Sequence, residues 1–86
     1  MKILLHRNFE KKYVKLSPKL KERFKERRNV FLEKPLHPQL NNHPLTGNRA
    51  GQWSINITGD IRAVYIFEGK DTIVFIDIDL HSNLYE

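Results

Sequence analysis

The sequence predicts an α+β fold in which two helices pack on one face of a small twisted sheet. In the first half of the chain, apolar residues recur at the spacing of amphipathic helices. In the second half, apolar and polar residues alternate as they do in half-buried strands. Tight turns separate these strands, and tight turns enforce antiparallel pairing. The expected order is therefore an N-terminal strand, a two-helix hairpin and a three-stranded antiparallel meander.

The N-terminal half supplies the first strand and both helices. Residues 2–7 alternate as a short strand, after which Asn8 offers an N-cap. The first helix has an apolar stripe at spacings of four and three residues: Phe9, Tyr13 and Leu16. Ser17 and Pro18 then supply a cap and a first-turn proline for a second helix, which extends to about Lys34.

The C-terminal half supplies the meander. An irregular, proline-containing connector leads into residues 52–58, whose apolar and polar positions alternate. Gly59, which provides a positive φ, and Asp60 then reverse the chain into a second strand over residues 61–68. A further turn leads to a last strand over residues 72–79. One face of that strand is expected to carry the odd-numbered positions: Ile73, Phe75, Asp77 and Asp79.

Length and composition limit what the chain can be. We expect its 86 residues to form a single domain, because a chain of this size has only enough apolar surface for one small core. The sequence has no cysteine, so disulfides and thiolate metal sites are excluded and a reducing cytoplasm fits best. His37 and His43 lack the spacing of a zinc motif, and no metal is expected. No apolar run approaches the ~20 residues that cross a bilayer, and no signal-peptide pattern is present.

The charge of the chain is distributed unevenly. The formal net charge is +5. Residues 1–43 contain twelve Lys or Arg against four Glu, whereas residues 44–86 contain three Lys or Arg against six acidic residues. A basic helical half indicates a polyanion or an acidic protein as partner, with a merely solvated helix face as the alternative. The candidates for RNA contacts are Lys19, Arg23, Arg27, Arg49 and Asn56.

Three motifs lie in and around the predicted hairpin and at the end of the chain. They are His43-Pro44-Leu45-x-Gly47, Gly51-x-Trp53-Ser54-Ile55-Asn56-Ile57-Thr58-Gly59-Asp60-Ile61-Arg62-x-x-Tyr65, and Asp77-Ile78-x-x-His81-x-x-Leu84-Tyr85. With them the chain resembles, nearly from end to end, the YafQ-like branch of the RelE/ParE toxin superfamily. The resemblance implies the RelE-like fold, strand-helix-helix-three strands.

The resemblance also implies a function. Many members of the superfamily are toxins of type II toxin–antitoxin systems that cut mRNA, typically on the translating ribosome, and thereby inhibit translation. It thus implies a cognate antitoxin, mRNA and the ribosome as partners, and no cofactor. Relatives of the ParE kind keep the fold but inhibit DNA gyrase, so a gyrase inhibitor and a catalytically silent binding module are the alternatives.

The chemistry of metal-free RNA cleavage suits the polar residues of these motifs. Such cleavage needs a base for the 2′-OH, a cation for the phosphate charge and an acid for the leaving 5′-oxygen. Histidine titrates near neutral pH, so His81 is the candidate acid and His43 the candidate base or phosphate ligand. Asp60 is the alternative base, or orients a histidine. Arg62 would stabilise the phosphorane through its planar fork, and Tyr85 would stack on a base or position the phosphate.

Two positions depart from the pattern of relatives. Asn56 stands where some YafQ-like relatives have a histidine, and an amide cannot transfer a proton at neutral pH. Asp77 stands where some relatives have an arginine, and an acid facing RNA phosphate is unfavourable. A low rate, a transfer of roles to Arg62, or Asp77 as base all remain open. The structural alternative for Arg62 is an ion pair with Asp77 or Asp60.

Overall fold

The computed structural model describes residues 1–84 and confirms the α+β fold. Its elements, in chain order, are β1 (Lys2–Leu5), α1 (Arg7–Tyr13), α2 (Pro18–Glu33), β2 (His43–Pro44), β3 (Trp53–Asn56), β4 (Ile61–Phe67), β5 (Thr72–Leu80) and α3 (His81–Leu84). The strands form one sheet in the order β1-β5-β4-β3-β2. The sheet thus has one strand more than predicted. No helix in the described part of the chain has the length and apolar character that spanning a membrane requires.

The two long helices begin at side-chain caps. The predicted cap of α2 is confirmed, because Ser17 Oγ accepts a hydrogen bond from Leu20 N at 3.2 Å and Pro18 occupies the first turn. The predicted cap of α1 is wrong by two residues. His6 caps this helix, with its Nδ1 accepting from Asn8 N at 3.0 Å. The Asn8 side chain instead donates to Ile76 O at 3.1 Å and so ties α1 to β5.

The helices cover one face of the sheet and enclose the main core there. Eleven buried residues form it: Phe9, Phe24, Phe31, Leu40, Ile55, Ile57, Ala63, Tyr65, Ile73, Phe75 and Ile78. Its aromatic rings pack at tilted or edge-on angles, as in the pair Phe24–Phe75 with 5.3 Å between ring centroids. Because α1 and α2 occupy this face, the polar residues of the strands are directed to the opposite one.

A β-bulge sets which residues of β5 reach each face. Val64 pairs with Asp77 but its neighbour Tyr65 pairs with Phe75, so Ile76 is an extra residue on β5. The alternation of faces therefore inverts at Ile76. Phe75 and Ile78 point into the main core, and Asp77 points to the opposite face. The prediction that the odd-numbered positions of β5 share one face is wrong for this reason.

The face opposite the helices, called the polar face below, carries a ladder of paired residues. One row joins Ser54, Val64 and Asp77, and the next joins Asn56, Arg62 and Asp79. This face also has a small apolar cluster of its own, made by Leu45, Val64, Ile76 and Leu84. Leu45, in the loop after β2, and Leu84, in α3, cover this cluster.

The connector before the hairpin is more regular than predicted. His43 and Pro44 form the short strand β2, in which His43 pairs with Ser54. Asn41, in the left-handed conformation with φ 46°, ends the turn that precedes this strand. His43 thereby joins the row of Ser54 on the polar face.

The turn between β3 and β4 is built differently from its prediction. Gly59 does not adopt a positive φ. Thr58 closes the turn instead, since its Oγ1 accepts from Asp60 N at 3.2 Å and from Ile61 N at 3.0 Å. The turn therefore leaves Asp60 exposed at the rim of the sheet.

Candidate active site

Arg62 is fixed against the turn from which its strand begins. Its Nη1 donates to Thr58 O at 3.0 Å and to Gly59 O at 2.8 Å. Within residues 1–84 its guanidinium makes no ion pair, so the ion pair with Asp77 or Asp60 that was the alternative is not formed. Its Nε and Nη2 have no hydrogen-bond partner in that range. The side chain is half-buried and preorganised, with one edge of the guanidinium left for an anion.

Asp60 and His81 lie next to each other at the same rim. The backbone N–H of His81 donates to Asp60 O at 2.7 Å, and the two residues line a shallow cleft of about 200 Å³ together with Leu80 and Ser82. Arg62 is close by, because Ile61, the residue before it, pairs with Leu80, the residue before His81. Three of the predicted catalytic residues are thus brought to one end of the polar face.

His43 lies farther from this end. It lies on β2, which is two strands away from β4, the strand of Arg62. Roughly 10 Å of sheet therefore separates the two strands. Its Nδ1 is 2.7 Å from Asn41 O, a distance at which a protonated Nδ1 donates to the carbonyl. In the neutral ring this leaves Nε2 as the proton acceptor.

Two buried polar atoms lie between His43 and Arg62. Ser54 Oγ and Asn56 Oδ1 are shielded from solvent and have no hydrogen-bond partner within residues 1–84. Asn56, a candidate for RNA contacts, pairs with Arg62 on the polar face, and its carbonyl oxygen is not at the surface.

Asp77, the second departure from the pattern of relatives, is buried rather than presented to solvent. The residue is 7 % exposed. Lys12 Nζ lies 2.8 Å from Asp77 Oδ1, and Arg49 Nη2 lies 3.1 Å from its Oδ2. Lys12 also reaches Asp79 Oδ2 at 3.0 Å. The charge of Asp77 is balanced by two cations, so it offers little repulsion to a phosphate at the surface.

The pKa values of this cluster follow from its ion pairs. Burial opposes the charge of Lys12, but its hydrogen bonds to Asp77 and Asp79 outweigh burial and raise the pKa of Lys12. Burial likewise opposes the charge of Asp79, yet the hydrogen bonds from Asn83 and Lys12 lower the pKa of Asp79. Both groups therefore stay charged at neutral pH.

Arg49 was predicted to contact RNA, and its guanidinium is engaged within the protein. Its three nitrogens have three separate partners: Leu84 O at 3.1 Å for Nε, Gln52 Oε1 at 2.8 Å for Nη1, and Asp77 Oδ2 for Nη2. These contacts join the loop before β3 to β5 and to the C-terminal helix α3.

The basic residues of α2 lie in the helix layer, on the other side of the sheet from Arg62. Arg23 is 3.6 Å from Glu26, and Arg27 Nη1 is buried without a partner in the described range. Lys19 is exposed. Tyr85, the remaining predicted site residue, lies outside the described residues. Within residues 1–84 no three His, Asp or Glu side chains are grouped as a metal site requires.

Sequence reasoning missed the part that Lys12 plays. The two aspartates in an otherwise apolar strand signal that cations must lie near, because buried carboxylates are almost always paired. Nothing in the sequence indicates which cation, since Lys12 is 65 residues from Asp77.

Comparison with known proteins supports the fold. No family model matches the chain, and no curated protein matches it. Among solved structures, a YoeB/ParE toxin from Agrobacterium tumefaciens is 24 % identical, with 94 % of this chain and 99 % of that chain covered and a TM-score of 0.78. YafQ from E. coli is 21 % identical, with 98 % of this chain and 97 % of that chain covered and a TM-score of 0.77. YafQ in the E. coli DinJ–YafQ toxin–antitoxin complex is 21 % identical, with 98 % of this chain and 96 % of that chain covered and a TM-score of 0.73. The chain therefore has the fold of these toxins, which confirms the resemblance at the level of the fold.

Proposed function

We propose that this protein is the toxin of a type II toxin–antitoxin system and that it cleaves mRNA on the ribosome as a metal-independent endoribonuclease. The observation that carries this proposal is the grouping, at one rim of the polar face, of two residues that can transfer protons and one cation: Asp60, His81 and Arg62. The likeness in fold to YafQ and to YoeB/ParE toxins supports it.

The geometry suits a phosphodiester cleavage in which the 2′-oxygen attacks the phosphorus and the 5′-oxygen leaves. His81 gives a proton to the leaving oxygen. The Nε and Nη2 edge of Arg62, which has no hydrogen-bond partner within residues 1–84, donates two parallel hydrogen bonds to the phosphate oxygens as charge builds on them. Because the turn carbonyls hold Nη1, the guanidinium need not reorganise during the reaction.

The base that takes the 2′-OH proton is Asp60 or His43. Asp60 is beside His81, whereas in His43 the contact of Nδ1 with Asn41 O leaves the ring nitrogen Nε2 as the proton acceptor. Comparing the pH profiles of Asp60→Asn and His43→Gln assigns the role, because loss of the base removes the acidic limb of the profile.

The proposed partner is a small antitoxin with an acidic segment. The DinJ–YafQ structure is a complex of a toxin of this fold with its antitoxin. In the present chain the basic half, with twelve Lys or Arg over residues 1–43, offers charge complementarity to such a segment.

The cations of α2 are proposed to contact ribosomal RNA. They lie on the other side of the sheet from the proposed cleavage site, so they would meet a different stretch of RNA from the one that is cut. Each phosphate contact adds affinity that falls with salt. Binding to ribosomes should therefore weaken as the salt concentration rises, even when the cleavage site is intact. The residues concerned are Lys19, Arg23 and Arg27.

Primer extension on cellular mRNA after brief induction tests the proposed function. We expect new 5′ ends within coding regions in cells that express the wild-type chain, and none with His81→Ala, because a general acid contributes roughly 10² to 10⁴ in rate. Circular dichroism must give the same spectrum for both proteins. Cleavage of purified substrate should persist in excess chelator. Intact mRNA together with inhibited DNA supercoiling would instead identify a gyrase inhibitor.

A further inference from the structure

We propose that Arg49 is a positioning residue that holds the C-terminal helix α3, and with it His81, at the rim of the polar face. This inference rests on the proposed function for its catalytic consequence, but its structural part stands independently. It assigns to Arg49 a role different from direct contact with RNA.

The helix α3 cannot hold its own shape. It has four residues, and isolated helices shorter than about 12 residues are marginal in water. Leu84 is its buried side chain, and Leu84 sits in the small apolar cluster of the polar face. The orientation of α3 therefore depends on the contacts at its two ends.

The first residue of α3 is held by the hairpin turn, since His81 N donates to Asp60 O. The third residue, Asn83, is held by β5, since its Nδ2 donates to Asp79 Oδ1 at 2.9 Å. The end of α3 is held by Arg49, whose Nε donates to Leu84 O at 3.1 Å. That carbonyl belongs to the last turn of a helix, where carbonyls lack an intrahelical partner.

The guanidinium of Arg49 is itself fixed in place. Asp77 accepts from Nη2 and Gln52 from Nη1, so the planar group is oriented from two sides. Lys12 holds Asp77 through its other oxygen. Asp77 and Asp79 thus connect α1, the loop before β3 and, through Arg49 and Asn83, the C-terminal part of α3. Moving Arg49 would release the end of α3 and allow His81 to shift.

Substitution of Arg49 by lysine separates positioning from charge. Lysine keeps a cation beside Asp77 but has a single nitrogen, which cannot serve Asp77, Gln52 and Leu84 together. We expect Arg49→Lys to lower kcat for RNA cleavage about tenfold, since displacement of a catalytic group by about 1 Å costs up to 10²-fold. KM should change by less than about twofold, because no RNA contact is lost.

Double mutants test whether Arg49 acts through His81. In a His81→Ala background, Arg49→Lys should cause no further loss of cleavage, whereas the effects of the two changes on thermal unfolding should add. A direct contact with RNA predicts the opposite: a raised KM and losses that multiply. The control is Lys70→Gln, an exposed cation in the turn before β5, which should leave kcat unchanged.

A readout that needs no activity keeps this inference separate from the proposed function. In proton NMR of the full chain, the ring resonances of His81 should move in Arg49→Lys. Those of His6, which caps α1, and of His37, whose Nδ1 accepts a hydrogen bond from Gln39 N, should stay in place. Unmoved His81 resonances overturn the positioning role, whether or not the wild-type protein cleaves RNA. A moved His81 in a protein that never cleaves RNA supports the positioning role and rejects the proposed function.

Discussion

At the scale of single residues, the buried carboxylate of Asp77 carries the greatest consequence for stability. It receives hydrogen bonds from Lys12 and Arg49, two cations that come from opposite sides of it. A buried ion pair adds little against an apolar replacement, but removal of one partner leaves uncompensated charge.

We therefore expect Asp77→Asn to lower the free energy of unfolding by about 3 kcal/mol, because Arg49 loses its acidic partner and Lys12 loses one of its two. Urea denaturation followed by circular dichroism measures the change. Asp71→Asn, an exposed aspartate in a turn, is the control and should lie within about 0.5 kcal/mol of the wild type. A similarly small effect at Asp77 would mean that solvent reaches the cluster more freely than the structure indicates.

Arg62 gives the clearest separation of catalysis from stability. Arg62→Lys keeps the charge but loses the planar fork, so cleavage should fall at least about tenfold. The lost hydrogen bonds go to turn carbonyls at the surface, so the free energy of unfolding should fall by no more than about 1 kcal/mol. Kinetic assays paired with thermal unfolding test both parts. An Arg62→Ala protein that cuts RNA at nearly the wild-type rate would remove Arg62 from the site.

At the scale of elements, the second helix depends on its N-terminal cap. Ser17 Oγ satisfies Leu20 N, one of the four N–H groups that a helix leaves unpaired. We expect Ser17→Ala to cost about 1 kcal/mol and Ser17→Asp to retain most of the stability, as measured by urea denaturation. Equal losses in the two variants would contradict a capping role.

Local signals predicted the helices well and the sheet only in part. Ser17 and Pro18 are chemical markers of a helix start, and the structure has the helix there. The bulge at Ile76 leaves no such mark, because it is a property of how two strands pair and not of either sequence. The strand β2 was missed for a similar reason: two residues, one of them proline, are too few for a periodic pattern.

The predicted site likewise contains contacts that local sequence signals could predict and contacts that arise only from long-range pairing. Asp60 and Arg62 are two residues apart on one hairpin, so their proximity could be predicted from the turn. His81 joined them through the expected antiparallel return of the last strand. The partners of Arg49 could not be predicted, because Leu84 and Asp77 are 35 and 28 residues away and meet it only in the folded chain.

At the scale of the whole molecule, the cluster around Lys12 makes stability depend on pH at both extremes. The pKa of Asp79 is lowered on folding, so its contribution is present above the pKa of the unfolded chain and is lost as pH falls through the folded value. The pKa of Lys12 is raised, so its contribution is present below the unfolded pKa and is lost as pH rises through the folded value.

We expect the free energy of unfolding to decline below about pH 4 and above about pH 10.5, with this cluster contributing at both ends. Urea denaturation at a series of pH values measures the profile. In Lys12→Met the decline at high pH should become shallower, because the titrating group is gone. An unchanged alkaline limb would show that other groups govern it.

The position of β5 in the sheet affects when the protein can become active. This strand lies between β1 and β4, and its parallel pairing joins Lys2 to Thr72, yet it is the last strand of the chain. A nascent polypeptide therefore cannot complete its sheet until residues 72–80 have left the ribosome, and His81 emerges directly after them. The proposed activity needs Asp60 beside His81, so it can arise only after the codons up to residue 81 have been read. Its own messenger is therefore translated at least that far before the nascent chain can attack it.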